Sequence, residues 1–292
     1  MLTRITRRRI FVWAAAAAAP ILALGNLYPA AAETDREGRN TAYLSVCGDP
    51  NNLPFSNDRM EGFENRIAQI IADALNRPLH YRWWPQSVGF VRNTLQMRLC
   101  DLVMGITSVN EMVQNSNPYY RSVYSLVQRA DETPRIDTLS DPALKSLRIG
   151  VVAGTPPATL IARYGLMGQT QPYLRTVDTR HHTPATQAVR DVAAGKIDVA
   201  VIWGPIAGYS AAQQDPPLQV LPLPAMVDGV NLAFNVSMGL RHRESRWKHE
   251  INTLIEQLGP QLQQVLLDYR VPLLDNKDQP IQILEAALPA AR

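Results

Sequence analysis

VCGDPNNLPFSN, residues Val46–Asn57, runs from a short apolar segment into a polar loop with two prolines and three asparagines that closes on an aromatic, Phe55. Leu44–Cys47 ahead of it has strand length. Behind it, Phe63, Ile67, Ile70, Ile71, Ala74 and Leu75 recur at helical spacing until Asn76 and Pro78 end the pattern. Strand, loop and amphipathic helix in this order open a parallel sheet. The loop then lies at the carboxyl end of its strand, where open α/β sheets bind ligands.

Working outward, the unit repeats. Leu79–Trp84 reads as a strand, Val88, Val91, Leu95 and Leu99 as one face of a helix, and Leu102–Met104 as an apolar strand. A strand in YSLVQ passes into a polar segment with Pro134. A second series follows: strand Leu147–Val152, a Gly154–Pro157 turn into a helix, a helix capped by Thr183 with Pro184 in its first turn and Gly195 at its end, and the buried strand Ile197–Ile202. After Pro216 and Pro217 come a short strand, Leu218–Leu221, and a long one, Leu232–Leu240, read as a return crossing. Trp247 to Leu258 form a helix, Gly259–Pro260 breaks it, and a final helix carries Leu262, Val265, Leu266 and Tyr269. This predicts an α/β fold of two lobes joined by two crossing strands, with a cleft between: lobe 1 at 43–125 plus 236–280 and lobe 2 at 126–235. The cleft loops are Asp49–Phe55, Trp84–Gly89, Gly105–Ser108, Gly154–Pro157 and Trp203–Pro205.

Residues 1–32 stand apart. Arg4, Arg7, Arg8 and Arg9 precede an apolar run from Ile10 to Leu24, and Ala30–Ala32 supply small residues for cleavage, so the segment reads as a secretory signal cut after Ala32. RRIF also fits the start of a twin-arginine signal, which leaves the export route open. The run is short of the ~20 residues of a spanning helix and Pro20 interrupts it, so no stable membrane anchor is expected. Removing the segment takes Lys+Arg from 29 to 25 while Asp+Glu stays at 26, turning a net charge of +3 into −1. A near-neutral mature chain gives no basis for nucleic-acid binding.

Catalytic motifs are absent. There is no GxSxG, HExxH, Walker loop or GxGxxG, and the five histidines lack metal-ligand spacing. DPNNLPFSNDRMEG fails as a calcium loop because Leu53 and Met60 fall where ligands are needed. No enzyme activity, metal or cofactor is implied.

The strings DPNNLPFSN…GFENRIAQIIA, GITS, NPYYRSVYSLV, VVAGTPP and AAGKIDVAVI resemble the type II periplasmic solute-binding proteins across almost the whole mature chain. More narrowly, VCGDPNNLPFSN, EGFENRIA, WWPQ, GFVRNTL, LCDLVMGI and NPYYRSVYSLV resemble the quinoprotein-dehydrogenase-associated J proteins of methanol oxidation, MxaJ and XoxJ. That resemblance implies the type II periplasmic binding protein fold, a periplasmic location and a disulfide between Cys47 and Cys100, since their strands are neighbours in the fold's sheet order. It also implies partnership with a pyrroloquinoline-quinone (PQQ)-dependent alcohol (methanol) dehydrogenase, and with a c-type cytochrome as a further candidate partner.

Two departures from the amino-acid binders of the superfamily bear on the cleft. Their segment after the third strand ends in an arginine that pairs with the ligand carboxylate; here GITSVNEM places Met112 there. Their aspartate after the second-lobe strand receives the ligand ammonium; here VIWGP places Trp203 and Gly204. A zwitterion would be desolvated with little compensation, so no tight amino-acid site is expected. The candidate cleft is Asn51, Asn52, Phe55, Trp84, Gln86, Gly105, Thr107, Met112, Thr155 and Trp203, an aromatic surface with polar edges suited to an uncharged or aromatic ligand or to a protruding loop of a partner. For several of these the structural role is an equal reading: Asn51 and Asn52 as turn formers, and one of Trp83 and Trp84 as core. Two functions stay open: an accessory protein that docks on the dehydrogenase and assists its maturation or activation, and a solute receptor of an ABC importer.

Overall fold

The computed structural model describes residues 34–281 apart from 109, 131–133 and 176–177. The expected secretory signal lies outside the described residues. Strands of the main sheet are β1 (Leu44–Gly48), β2 (Leu79–Trp83), β3 (Leu102–Thr107), β4 (Tyr120–Gln128), β5 (Ile149–Val152), β6 (Thr170–Tyr173), β7 (Val199–Trp203), β8 (Gln219–Pro222) and β9 (Ala233–Leu240), with the two-residue strand Gln114–Asn115 also paired to β9. The helices are α1 (Phe63–Ala74), α2 (Phe90–Asn93), α3 (Pro156–Arg163), α4 (Pro184–Ala193), α5 (Gly204–Ala212) and α6 (Ser245–Asp268).

The sheet order is β2-β1-β3-β9-β4-β7-β5-β6, with β8 also paired to β4. Pairing is parallel at both wings, β2-β1-β3 and β7-β5-β6, and antiparallel in the middle, where β9 and β4 cross. The crossing strand β4 serves both wings. Tyr120–Val123 pair with β9, while Tyr124–Gln128 pair with β7. Each wing has its own core. On the first, Val46, Phe63, Ile67, Leu102 and Met238 pack with Trp247, whose indole donates to the Asp101 carbonyl at 3.0 Å. On the second, Leu126, Ile149, Leu160 and Val201 form one cluster, and Val127, Val189 and Ala200 form another on the opposite face.

Cys47 and Cys100 form a disulfide, surrounded by Phe90, Val91, Leu95 and Val103. Closing 53 residues of chain in this way stabilises the fold by about 4 kcal/mol on the chain-entropy account.

Two local expectations are corrected. The helix expected over Val88–Leu99 is a single turn, α2, after which Gln96 N donates to Val91 O and Leu99 N to Thr94 O, wide turns that keep apolar spacing without an α-helix. Those turns bring Leu95 and Cys100 into one buried cluster. Conversely, Gly259–Pro260 does not break α6. Pro260 and Glu256, whose carbonyl loses its donor, are both exposed, so water meets the freed group.

Candidate functional site

The opening loop folds back as a small hairpin, Asn51–Asn52 against Ser56–Asn57. Asp49 organises it from below. Only 2% exposed, its carboxylate accepts from Asn51 N at 2.8 Å and Gln86 N at 2.5 Å. It also accepts from the hydroxyl of Thr179, on the opposite wing, at 2.7 and 2.8 Å. Asn51 Nδ2 donates to the Thr179 carbonyl at 2.7 Å. One buried carboxylate and one amide thus tie the wings together at the edge of the cleft.

Beneath this contact lies Glu64, in the first turn of α1. Burial first, and the nearby Asp49 charge second, push its carboxyl up to about 8. Gly105 makes room for it: a Cβ there would fall 2.1 Å from Glu64 Oε1, and the residue's φ of +68° is itself strained for an L side chain.

The cleft floor is aromatic. Trp203 ends β7 opposite Tyr124 of β4, and with Phe234 of β9 they form a cluster with ring centroids 5.2, 6.0 and 6.5 Å apart. Burial pushes the Tyr124 hydroxyl up to about 12, opposed by Arg175 and Thr155. Two cavities adjoin here. One of about 290 Å³ runs under the opening loop toward the start of α4, and a larger one of about 1060 Å³ runs along α3 and the ribbon strand Val230–Asn231.

No family model matches the chain. Among curated proteins, Protein MoxJ of Methylorubrum extorquens is 30% identical over 291 residues, covering 92% of this chain and 97% of that protein. The chain belongs to the MoxJ family. Protein MoxJ of Paracoccus denitrificans is 26% identical over 251 residues, covering 80% of this chain and 90% of that one. Among solved structures, the periplasmic binding protein XoxJ of Methylobacterium extorquens AM1 is 42% identical with a TM-score of 0.69, over 80% of this chain and 100% of that one. An ancestral cationic amino acid solute-binding protein, 20% identical with a TM-score of 0.63 over 78% of this chain and 96% of that one, shares the type II fold.

Within this MoxJ-family cleft the expected residues fall into three groups. Asn52, Phe55, Gln86, Thr155 and Trp203 line the smaller cavity, and Thr107, Thr155 and Trp203 the larger. Asn51 spends its side chain on the contact between wings. Trp84, Gly105 and Met112 line neither cavity. Trp84 is 40% exposed on the loop beside Gln86, Gly105 packs on Glu64, and Met112 is 44% exposed. The chain turns away before Met112, through Asn110 N to Thr107 O, and Val113 then anchors in the cluster around the disulfide. Tyr124, Phe234, Arg175 and His182 also line the cavities and were not anticipated. The first two sit on the crossing strands, where strand alternation pointed to one face or the other. Arg175 follows a short edge strand, and nothing local marks it.

Proposed function

We propose that this chain is a periplasmic accessory protein of methanol or alcohol oxidation, without catalytic activity of its own, that docks on a PQQ-dependent alcohol dehydrogenase and assists its maturation or activation. The observation that carries the reading is the match to XoxJ, described as a periplasmic binding protein, over 80% of this chain and 100% of that one, together with the MoxJ relatives. The reading also draws support from apolar side chains standing open at the cleft mouth, with Trp84 at 40% and Val88 at 81% exposure on one side and Leu174 at 69% on the other. Such residues leave water on docking, and a central aromatic commonly costs about 2 kcal/mol or more when truncated. With a mature charge near zero, salt should weaken the complex only modestly.

Export with cleavage after Ala32 belongs to the same proposal. The test is purification of the protein from the periplasmic fraction, where its amino terminus should be Glu33 and the dehydrogenase should co-purify. Trp84→Ala, a change at an exposed position, should weaken the complex about tenfold without altering the circular dichroism spectrum. Wild-type binding by Trp84→Ala together with Val88→Ala would remove the cleft mouth as docking surface. Failure of the wild type to co-purify or to raise the activity of newly exported dehydrogenase would favour a solute receptor, a reading to which the cavities under the opening loop and along α3 also lend support.

A further inference from the structure

The two cavities share Tyr124, Thr155, Arg175 and Trp203. Their described lining contains no aspartate or glutamate, and Arg175 is its one permanently cationic side chain. The Arg175 guanidinium donates to the Gly154 carbonyl at 3.1 Å and has no acidic partner among the described residues. Arg175 is exposed, so water serves the rest of its guanidinium and leaves it open to an anion at the junction of the two cavities.

The neighbouring helix start does not compete for an anion. Helix N-termini hold anions through their free N–H groups, but α3 begins with Pro156 and Pro157, which have none, and the next donor, Ala158 N, is spent on Thr155 O at 3.0 Å. A carboxylate entering here is therefore held by a side chain, and Arg175 offers the planar fork that fits it. Beside that fork the rings of Tyr124, Trp203 and Phe234 present an apolar wall. An ammonium group, by contrast, finds no carboxylate in the described lining and a like charge close by.

We propose that this cleft binds a small organic monocarboxylate with an aromatic or branched apolar body and no amine, its carboxylate on Arg175 and its body against Tyr124, Trp203 and Phe234. Of the uncharged or aromatic ligand expected from the sequence, the proposal keeps the aromatic body and adds a negative charge, while the exclusion of amino acids stands on the lack of an acid in the described lining. The proposal goes beyond docking and does not rest on it.

The test is calorimetric titration of the mature protein with phenylacetate, 2-naphthylacetate and 4-methylpentanoate, each beside its primary amide, and with L-phenylalanine. At least one acid should bind about tenfold more tightly than its amide, and phenylacetate more tightly than L-phenylalanine. Arg175→Gln should abolish the preference for the acid, leaving amide binding and the circular dichroism spectrum unchanged. The proposal is overturned if acid and amide bind alike in every pair, if no member of the panel binds, or if Arg175→Gln keeps the preference. Docking is scored separately on the dehydrogenase with Trp84→Ala, so a silent titration removes the acid site and leaves the docking reading standing.

Discussion

Glu64 shows how much one residue can depend on its surroundings. On the sequence it is an unremarkable acid in the first turn of an amphipathic helix, a position that helix dipoles favour. In the fold it is 6% exposed, faces Asp49, Tyr81, Tyr119 and Tyr120, and has no cationic partner among the described residues. The three tyrosine hydroxyls are pushed up as well, by burial first and by the Glu64 charge among the lesser causes. With its folded value raised to about 8 from 4.5, the native state holds a proton that the unfolded chain has released. Stability therefore falls as pH rises from about 4.5 to about 8, at up to about 1.4 kcal/mol per pH unit from this group. Glu64→Gln, which cannot ionise, should flatten that decline, and denaturant titrations of both proteins from pH 5 to 8 would reveal it. Parallel curves would show that Glu64 is not protonated in the native protein.

Among the elements, α5 governs the cleft floor because Trp203 stands at its start. Gly204 and Gly208, four residues apart, lie on one face of it. A Cβ on Gly204 would fall 2.4 Å from Val123 O, and one on Gly208 would fall 1.8 Å from Arg270 O. The helix thus rests directly on the backbone of β4 and on the segment after α6. Gly208→Ala forces α5 away from the Arg270 backbone, and the expected loss of stability is about 1–3 kcal/mol, read from denaturant unfolding. The near-ultraviolet spectrum should change as Trp203 shifts against Tyr124 and Phe234. Unchanged stability would mean that α5 has freedom to slide. Secondary-structure propensity has no access to this constraint. Glycine at both positions reads as a weak helix former, and only the opposing backbone supplies the reason for it.

At the scale of the whole molecule, the wings are joined by the crossing strands and by the contacts of Thr179 with Asp49 and Asn51, whose partners lie 130 and 128 residues away in the chain. Trp203 adds apolar closure by packing against the first wing's core. Removing the polar tie with Asn51→Ala and Thr179→Val should open the cleft, raising the radius of gyration in small-angle scattering with little change in unfolding free energy. A scattering curve matching wild type would leave closure to Trp203 and the crossing strands. Most strands, the loops at strand ends and the α/β class were legible along the chain, because apolar periodicity is a local signal that burial imposes on each element separately; β6, a largely exposed edge strand, and α5, buried nearly all round, carry no such period and were not read. Asn52, Phe55, Gln86, Thr107, Thr155 and Trp203 could be placed at the cleft for the same reason, as residues of strand-end loops. The charge of the cleft was not legible. Arg175 takes its meaning from the lack of acids among the described residues that distant segments bring to the lining, and Met112 lines neither cavity because a turn and a buried valine redirect the chain. Those outcomes belong to tertiary structure, since a site's electrostatics sum over every group that packing brings near, and periodicity along one segment carries no record of the others.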